Sequence, residues 1–537
     1  MTLARLALAL AFGIALPPLI RAQEPHAHGP GKLGTVAFPV SCSPEAAKRF
    51  EHAMAVLHSF WWEEGDRAFG AVLQADSTCA MAYWGLAVNA WGNPFAGGPS
   101  GGTLARGSKA AARAAALPAR TPREQGFIHA VVALYRDAPN TLNAARLQAY
   151  ADTMARLYRD LPTDDEVAIY HALSLIATAP KTDTTFAQQR RAAAILNPLF
   201  ARHPDHPGLA HYIIHATDSP QLASLGLDAA RRYARIAPAA PHAQHMPSHI
   251  FVRLGLWDET VASNWASYRA GSDYAKSVGA PEVPPEALHA LDYAVYGYLQ
   301  RGEDAAADSA IRVARTLHVR RGEGTLVREY NGTAMLARVP LEKGDWAAAA
   351  ALPVAEKGMG VAPALTRFAR AIGAARSGRP AAAKTEIAAL ESVAADLAAR
   401  QESYWTRVVR IKRDAAEAWR RFAAGDTTGG LALARAAADT EQVTDKHPVT
   451  PGELLPAREL QADMLLAAGR PAEARKAYLA TLKREPGRAR SVFGAARAAQ
   501  LAGDAAAAQA GYHDYLELMR NADGERAELA VAKTAVR

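Results

Sequence analysis

The chain carries none of the compact motifs that announce common chemistries. No HExxH, GxSxG, Walker or GxGxxG pattern appears in a proper setting, which leaves out the corresponding metalloprotease, serine-nucleophile, P-loop and dinucleotide-binding readings. Cysteine is scarce, with two residues in 537. Cys42 and Cys79 are even in number and close in sequence, so in an oxidising compartment they are expected to pair as one disulfide, the alternative being two buried free thiols. A catalytic cysteine is disfavoured by that pairing. No long Lys/Arg block with interleaved aromatics is present either, so nucleic acid is not the expected partner. After Ile20 no apolar run is long enough to cross a membrane, which leaves no membrane span.

What is present begins with Met1-Thr-Leu-Ala-Arg5, an apolar run from Leu6 to Ile20 interrupted by Pro17 and Pro18, and then Arg21-Ala22-Gln23. A charged start, a short apolar core and a small residue at the cut describe a secretory signal peptide. Cleavage is expected after Ala22, and no cysteine stands near the site to take a lipid. A periplasmic or secreted location follows. The formal charge of +8 falls to +6 once Arg5 and Arg21 leave with the signal, and the excess is spread thinly.

The remaining composition is rich in alanine and punctuated by Gly-Asp, Gly-Arg-Pro and single prolines. Gly469 to Gly503, Ala474 to Ala508 and Tyr478 to Tyr512 are each 34 residues apart. Small alanines let two helices approach, an aromatic fills the groove between neighbours, and Pro486 ends the second helix. The grammar resembles the tetratricopeptide repeat, with its Ala-x3-Phe/Tyr and closing proline. It returns at Gly344-Asp345-Trp346, Gly302-Glu303 and Gly255-Leu256-Trp257, and Pro204 and Pro238 are again 34 apart. The resemblance implies an all-α fold, a TPR-like α-solenoid forming a right-handed superhelix of antiparallel helix pairs. A solenoid grows by units that touch only their neighbours, so one elongated body can be this long. The expected division is a signal peptide at 1–22, a flexible segment at 23–40, N-terminal helical repeats, partly irregular, at 41–205, His-rich repeats at 206–320 and C-terminal repeats at 321–537. Residues 95–190 fit the period loosely, and loops are expected at Gly92–Gly102 and Gly279–Pro285.

Histidine is unevenly placed. Seven of the 17, namely His203, His206, His211, His215, His242, His245 and His249, fall within 47 residues. His211/His215 and His245/His249 are spaced by four, which puts each pair on one helix face. The pairs are 34 residues apart and so share a phase of the repeat. In proteins resembling this family, positions 2, 5, 9 and 12 of the first helix line the concave groove. That resemblance puts His242 at position 2, His211 and His245 at position 5, His215 and His249 at position 9, and Asp218 at position 12. In the following repeat it puts His289, Asp292 and Tyr296 at positions 2, 5 and 9.

Neutral imidazole suits Zn, Cu, Ni or Fe, which makes His211, His215, His242, His245, His249 and His289 candidate ligands of a divalent transition metal. Asp218, Asp292 and Tyr296 are candidates for orienting those rings or touching a ligand. Two other readings stay open, a hydrogen-bonded polar lining and direct recognition of a peptide or small ligand. His203 and His206 belong to a turn and are expected to be solvated. His26 and His28 are expected in a disordered tail.

The segment His242-Ala-Gln-His-Met-Pro-Ser-His-Ile-Phe-Val-Arg-Leu-Gly-Leu-Trp257, with Phe38-Pro-Val-Ser-Cys42 and Ala80-Met-Ala-Tyr-Trp-Gly85, resembles a group of exported bacterial tetratricopeptide proteins without an established activity. Pro247 inside it removes a helical hydrogen bond, either harmlessly near a helix start or by kinking the helix and re-aiming His249. Two functions follow as expectations. One is an exported binding or scaffold protein whose concave groove takes a peptide, protein or small ligand beside a His-rich site. The other is a metal-dependent enzyme, a hydrolase or oxidoreductase, using the same histidines.

Overall fold

The structure, a computed structural model, describes residues 32–138, 140–180, 183–320, 325–354 and 360–537. The expected signal peptide, His26 and His28 lie outside the described residues.

The chain is a succession of antiparallel helix pairs. They are α1 (Pro44–His58) with α2 (Trp62–Ala75), α3 (Ala80–Trp91) with α4 (Gly101–Ala116), α5 (Pro122–Tyr135) with α6 (Asn143–Asp160), and α7 (Asp165–Ala177) with α8 (Ala187–Arg202). Next come α9 (Pro207–Thr217) with α10 (Leu227–Ile236), then α11 (Pro241–His245) and α12 (Pro247–Leu254) with α13 (Trp257–Ser277), and α14 (Glu286–Gln300) with α15 (Asp304–Thr316). The C-terminal pairs are α16 (Thr325–Glu342) with α17 (Trp346–Ala350), α18 (Ala362–Arg376) with α19 (Pro380–Ala399), α20 (Ser403–Ala423) with α21 (Thr427–Gln442), α22 (Ala457–Ala467) with α23 (Pro471–Arg484), and α24 (Ala489–Leu501) with α25 (Ala505–Leu518), closed by α26 (Ala527–Ala535). This is a TPR-like α-solenoid, all-α as expected. Residues 95–190, loose in sequence, form helix pairs as well.

The recurring Gly-Asp step now has a local cause. Gly344, Gly425 and Gly503 take left-handed φ values of 68°, 94° and 83°, ending one helix, and Asp345, Asp426 and Asp504 then cap the next by accepting a backbone N–H three residues on. Between helices, Tyr478 lies against Gly494, where a Cβ would overlap the ring. Only glycine lets the aromatic wedge seat there. Cys42 and Cys79 are joined in a disulfide, their Cα atoms 5.2 Å apart, tying the entry of α1 to the start of α3. Leu33, Val36 and Phe38 join a hydrophobic core that runs on to Phe251 without a break at residue 205. Among the described residues no helix is long and apolar enough to cross a membrane.

One expectation is corrected. The units do not touch only their neighbours, because the superhelix curls until residues 250–305 meet residues 445–526. Arg253 reaches Asp445 with two bonds of 3.1 Å, and Trp257 Nε1 donates to the Gly487 carbonyl at 2.9 Å. Arg526 pairs with Asp304 and donates to the Leu299 carbonyl. Gly255, in the left-handed region at φ 70°, is pressed against the Pro486 carbonyl, where any Cβ would collide. The reason is chemical. Charged residues on distant turns pair across the closing gap, which a repeat count cannot register.

Candidate metal centre

The His-rich segments run from α9 to α14 and face inward. Met246, itself in helical φ/ψ, joins α11 to α12 with Pro247 in the first turn of α12, where the missing N–H costs little. His245 and His249 therefore sit on consecutive short helices and still converge, with Nε2 to Nε2 at 3.0 Å.

The six candidate histidines gather in two sets of three. His211, His215 and His242 form the first, and His245, His249 and His289 the second, with one ligand atom from each residue lying within 4.8 Å of the others in its set. In the first, His211 Nε2 is 3.0 Å from His215 Nε2 and 3.1 Å from His242 Nε2. The expected spacing pairs survive, but each is completed by the position-2 histidine of the next repeat, and the two pairs do not close into a single cage of four. His242 and His245 link the sets, their ring centroids 6.3 Å apart. His211, His245 and His249 are buried, whereas His215, His242 and His289 are half-buried.

What each Nδ1 does decides what each Nε2 can do. His211 Nδ1 is 2.7 Å from the His58 carbonyl, which only accepts, so the proton is on Nδ1. His249 Nδ1 donates to Asp218 Oδ2 at 2.9 Å. His245 Nδ1 donates to Asn264 Oδ1 at 2.6 Å, an orientation fixed because Asn264 Nδ2 is spent on the Thr260 carbonyl. Burial, reinforced by neighbouring imidazoles, holds His211 and His245 well below the ordinary histidine range, and burial likewise lowers His249 against the pull of Asp218. These rings are neutral near pH 7, and their Nε2 atoms carry bare lone pairs. The His245 and His249 lone pairs then face each other at 3.0 Å. Two acceptors at that distance repel, and a cation between them removes the conflict.

The supports come from far along the chain. Asp218 receives Arg253 Nε at 2.8 Å as well as His249, and Arg253 continues to Asp445. Burial works to raise the Asp218 pKa, but Lys446, Arg253 and His249 outweigh it and hold the carboxyl well below its usual range. Burial presses the neighbouring Lys446 ammonium down to about 8. Tyr293 packs against the rings of His245, His249 and His289 while its hydroxyl donates to the carbonyls of Pro448 and Thr450. Residues 445–453 thereby lie along this side of the groove. Around the first set stand Phe60, 4.4 Å from the His211 ring, Phe95, 4.3 Å from His215, and Tyr233 stacked on His211. Phe60 has φ 50°, a left-handed strain for a bulky side chain in the turn that also offers the His58 carbonyl.

A third cluster differs in kind. His58, Glu166 and His206 are all buried, but their polar atoms are spoken for. Glu166 accepts from His58 Nε2 at 3.1 Å and from His206 Nε2 at 2.9 Å, His58 Nδ1 meets Tyr212 Oη at 3.0 Å, and His206 Nδ1 accepts from the Leu209 amide. His206 was expected to be solvated in a turn, and instead is buried and caps α9. His203 is half-exposed and pairs with Asp165 at 2.7 Å.

Of the three residues expected to support the rings, Asp218 does so. Asp292 is buried against Arg338 at 2.9 Å, and Tyr296 turns to Arg488 and Glu485, so these two serve the joint between the halves. Sequence reading missed His58, Phe60, Asn264, Glu166 and Lys446. Arg253 alone had a legible signal, standing four residues after His249 on one face.

No family model matches the chain, and no curated protein matches it. Among solved structures, the human IFIT1 dimer with m7Gppp-AAAA is similar at 12% identity over 79% of this chain and 87% of that one, with a TM-score of 0.33. Yeast Tom70 is similar at 10% identity over 91% and 95%, TM-score 0.31. The TPR domain of P58(IPK) is similar at 12% identity over 70% and 98%, TM-score 0.20. At these scores the likeness supports no functional argument.

Proposed function

We propose that this is an exported helical-repeat protein whose groove holds transition-metal ions on the six histidines, three to an ion, and that the centre works as a metal-dependent enzyme, a hydrolase or oxidoreductase. The observation that carries this reading is the facing pair of Nε2 lone pairs on His245 and His249, each ring locked by an acceptor at Nδ1. Asp218, Asn264 and the His58 carbonyl are the kind of partners that orient ligating histidines.

Three protein ligands leave a coordination position for water or substrate, whereas a structural site closes with four. The half-buried His215, His242 and His289 lie on the side from which such a molecule would enter. Zinc, copper, iron and nickel are the candidate ions. Capture of a peptide in this stretch of the groove is the weaker reading, since residues 445–453 of the same chain lie along it. Export rests on the N-terminal sequence and agrees with the Cys42–Cys79 disulfide.

The test is elemental analysis of untagged protein purified from the exported fraction, beside His211→Ala/His215→Ala. The expected outcome is two ions per chain falling to one in the variant. Absence of stoichiometric metal under several metal supplements would overturn the proposal.

A further inference from the structure

We infer that the two histidine sets act together as one two-copper site that binds dioxygen between its ions. The inference rests on the metal-centre reading above and goes beyond it in naming the metal, its nuclearity and its ligand.

The donor set argues for copper. Each set offers imidazole nitrogen alone. The nearest carboxylate, Asp218, is committed to His249 Nδ1 and Arg253, and both cysteines are joined in the disulfide. Hard ions that favour oxygen ligands gain little from such a cavity, and three imidazoles suit copper in either common oxidation state. The wall is aromatic, with Phe60, Phe95, Tyr233 and Tyr293 against the rings. A low-polarity lining of that kind favours the less charged Cu(I) over Cu(II) and limits water at the ion.

The arrangement of the sets argues for joint action. His242 serves the first and His245 the second, three residues apart, with ring centroids 6.3 Å apart. Two ions held by sets this close would stand beside each other, next to the half-buried His215, His242 and His289. Two neighbouring one-electron donors match what dioxygen takes up in a single step. Each Cu(I) gives one electron and becomes Cu(II), and dioxygen takes both and stays bound between the ions as the two-electron-reduced, doubly negative species. No proton or further reductant is needed for that step.

The experiment loads metal-free protein with Cu(I) under anaerobic conditions and then admits dioxygen. The expected result is two coppers per chain, uptake of one dioxygen per two coppers, a new charge-transfer absorption, and Cu(II) with little electron paramagnetic resonance signal because the two spins couple through the bridge. His242→Ala and His289→Ala each remove one ligand from one set. Each variant, checked for native helicity by circular dichroism, is expected to retain one tightly bound copper, to lose dioxygen uptake at that stoichiometry and to give a full Cu(II) signal after oxidation. Two coppers that oxidise to two independent full signals, or a protein that takes two zinc ions and no copper, would overturn the inference and leave the metal centre standing. A protein that takes no transition metal overturns both.

Discussion

Two kinds of histidine cluster stand side by side in this protein, and they differ in where the lone pairs go. In the His58–Glu166–His206 cluster a carboxylate accepts from both imidazoles, and each remaining ring nitrogen has a partner of its own. Behind His211, His245 and His249 an acceptor sits at Nδ1, and their Nε2 atoms face neighbouring imidazoles. The first cluster is buried throughout, whereas each set of three includes half-buried rings. A buried imidazole is thus structural when its partners use both nitrogens, and keeps a lone pair available for a ligand's role when its partner uses one and aims the other. The first cluster also serves the second kind, because the His58 backbone carbonyl fixes the His211 tautomer.

The largest effect should come from removing the shared carboxylate. Glu166→Ala leaves two buried imidazoles without an acceptor, and breaking a buried, charge-assisted network by deleting one partner costs about 3–5 kcal/mol. Urea denaturation of the metal-free protein should read that loss, whereas His242→Ala should cost the metal-free protein far less. Equal costs would remove the distinction between the clusters. Metal sharpens the contrast from the other side. A ligand present at about a thousand times its dissociation constant stabilises the folded state by about 4 kcal/mol, so a chelator should lower the melting temperature of wild-type protein and leave a variant lacking His211, His215, His245 and His249 unmoved. A chelator effect of the same size in that variant would place the ion elsewhere.

Much of this was legible and some was not, for identifiable reasons. The 34-residue period gave the helix pairs, because Gly, Asp, Ala and Tyr at fixed spacing have local tasks: Gly503 ends a helix, Asp504 caps the next, and Tyr512 fills the groove. It also brought the His211/His215 and His245/His249 pairs to one lining. It did not reveal the division into threes, which depends on His242 and His289 standing one repeat on from the pairs they complete. Nor could it find Glu166, Asn264 or Lys446, whose roles come from contacts across unrelated sequence separations. Asp292 and Tyr296 had the right phase, but Arg338 and Arg488, arriving from the C-terminal half, took them as partners.

That contrast between Asp218 and Asp292 supplies a smaller test. Asp218→Asn weakens the acceptor that holds the His249 tautomer and should lower metal affinity by about tenfold to a hundredfold, the usual range for a residue behind a ligating histidine. Asp292→Asn disturbs a buried ion pair with Arg338, so it should cost stability while leaving the affinity of the folded protein nearly unchanged. Competition titration with a chromophoric chelator measures both variants. Equal losses of affinity would mean that Asp218 acts only through the fold.

The smallest expected effect is a dependence on pH. Burial works to raise the pKa of Glu166, but the His58 and His206 imidazoles outweigh it and hold the carboxyl below its ordinary value of 4.5. As pH falls the unfolded chain takes up the proton first, so the stability that Glu166 contributes is whole above about 4.5 and is lost progressively below it. The quantity to measure is the difference in unfolding free energy between wild type and Glu166→Gln, because the subtraction removes the titrating groups on which Glu166 does not act. That difference should be constant from pH 7 to about 5 and should narrow toward pH 3.5. A gap that keeps its full size at pH 3.5 would mean that the carboxylate contributes through shape and neutral hydrogen bonds, and the cluster would then differ from the two sets of three histidines by geometry alone.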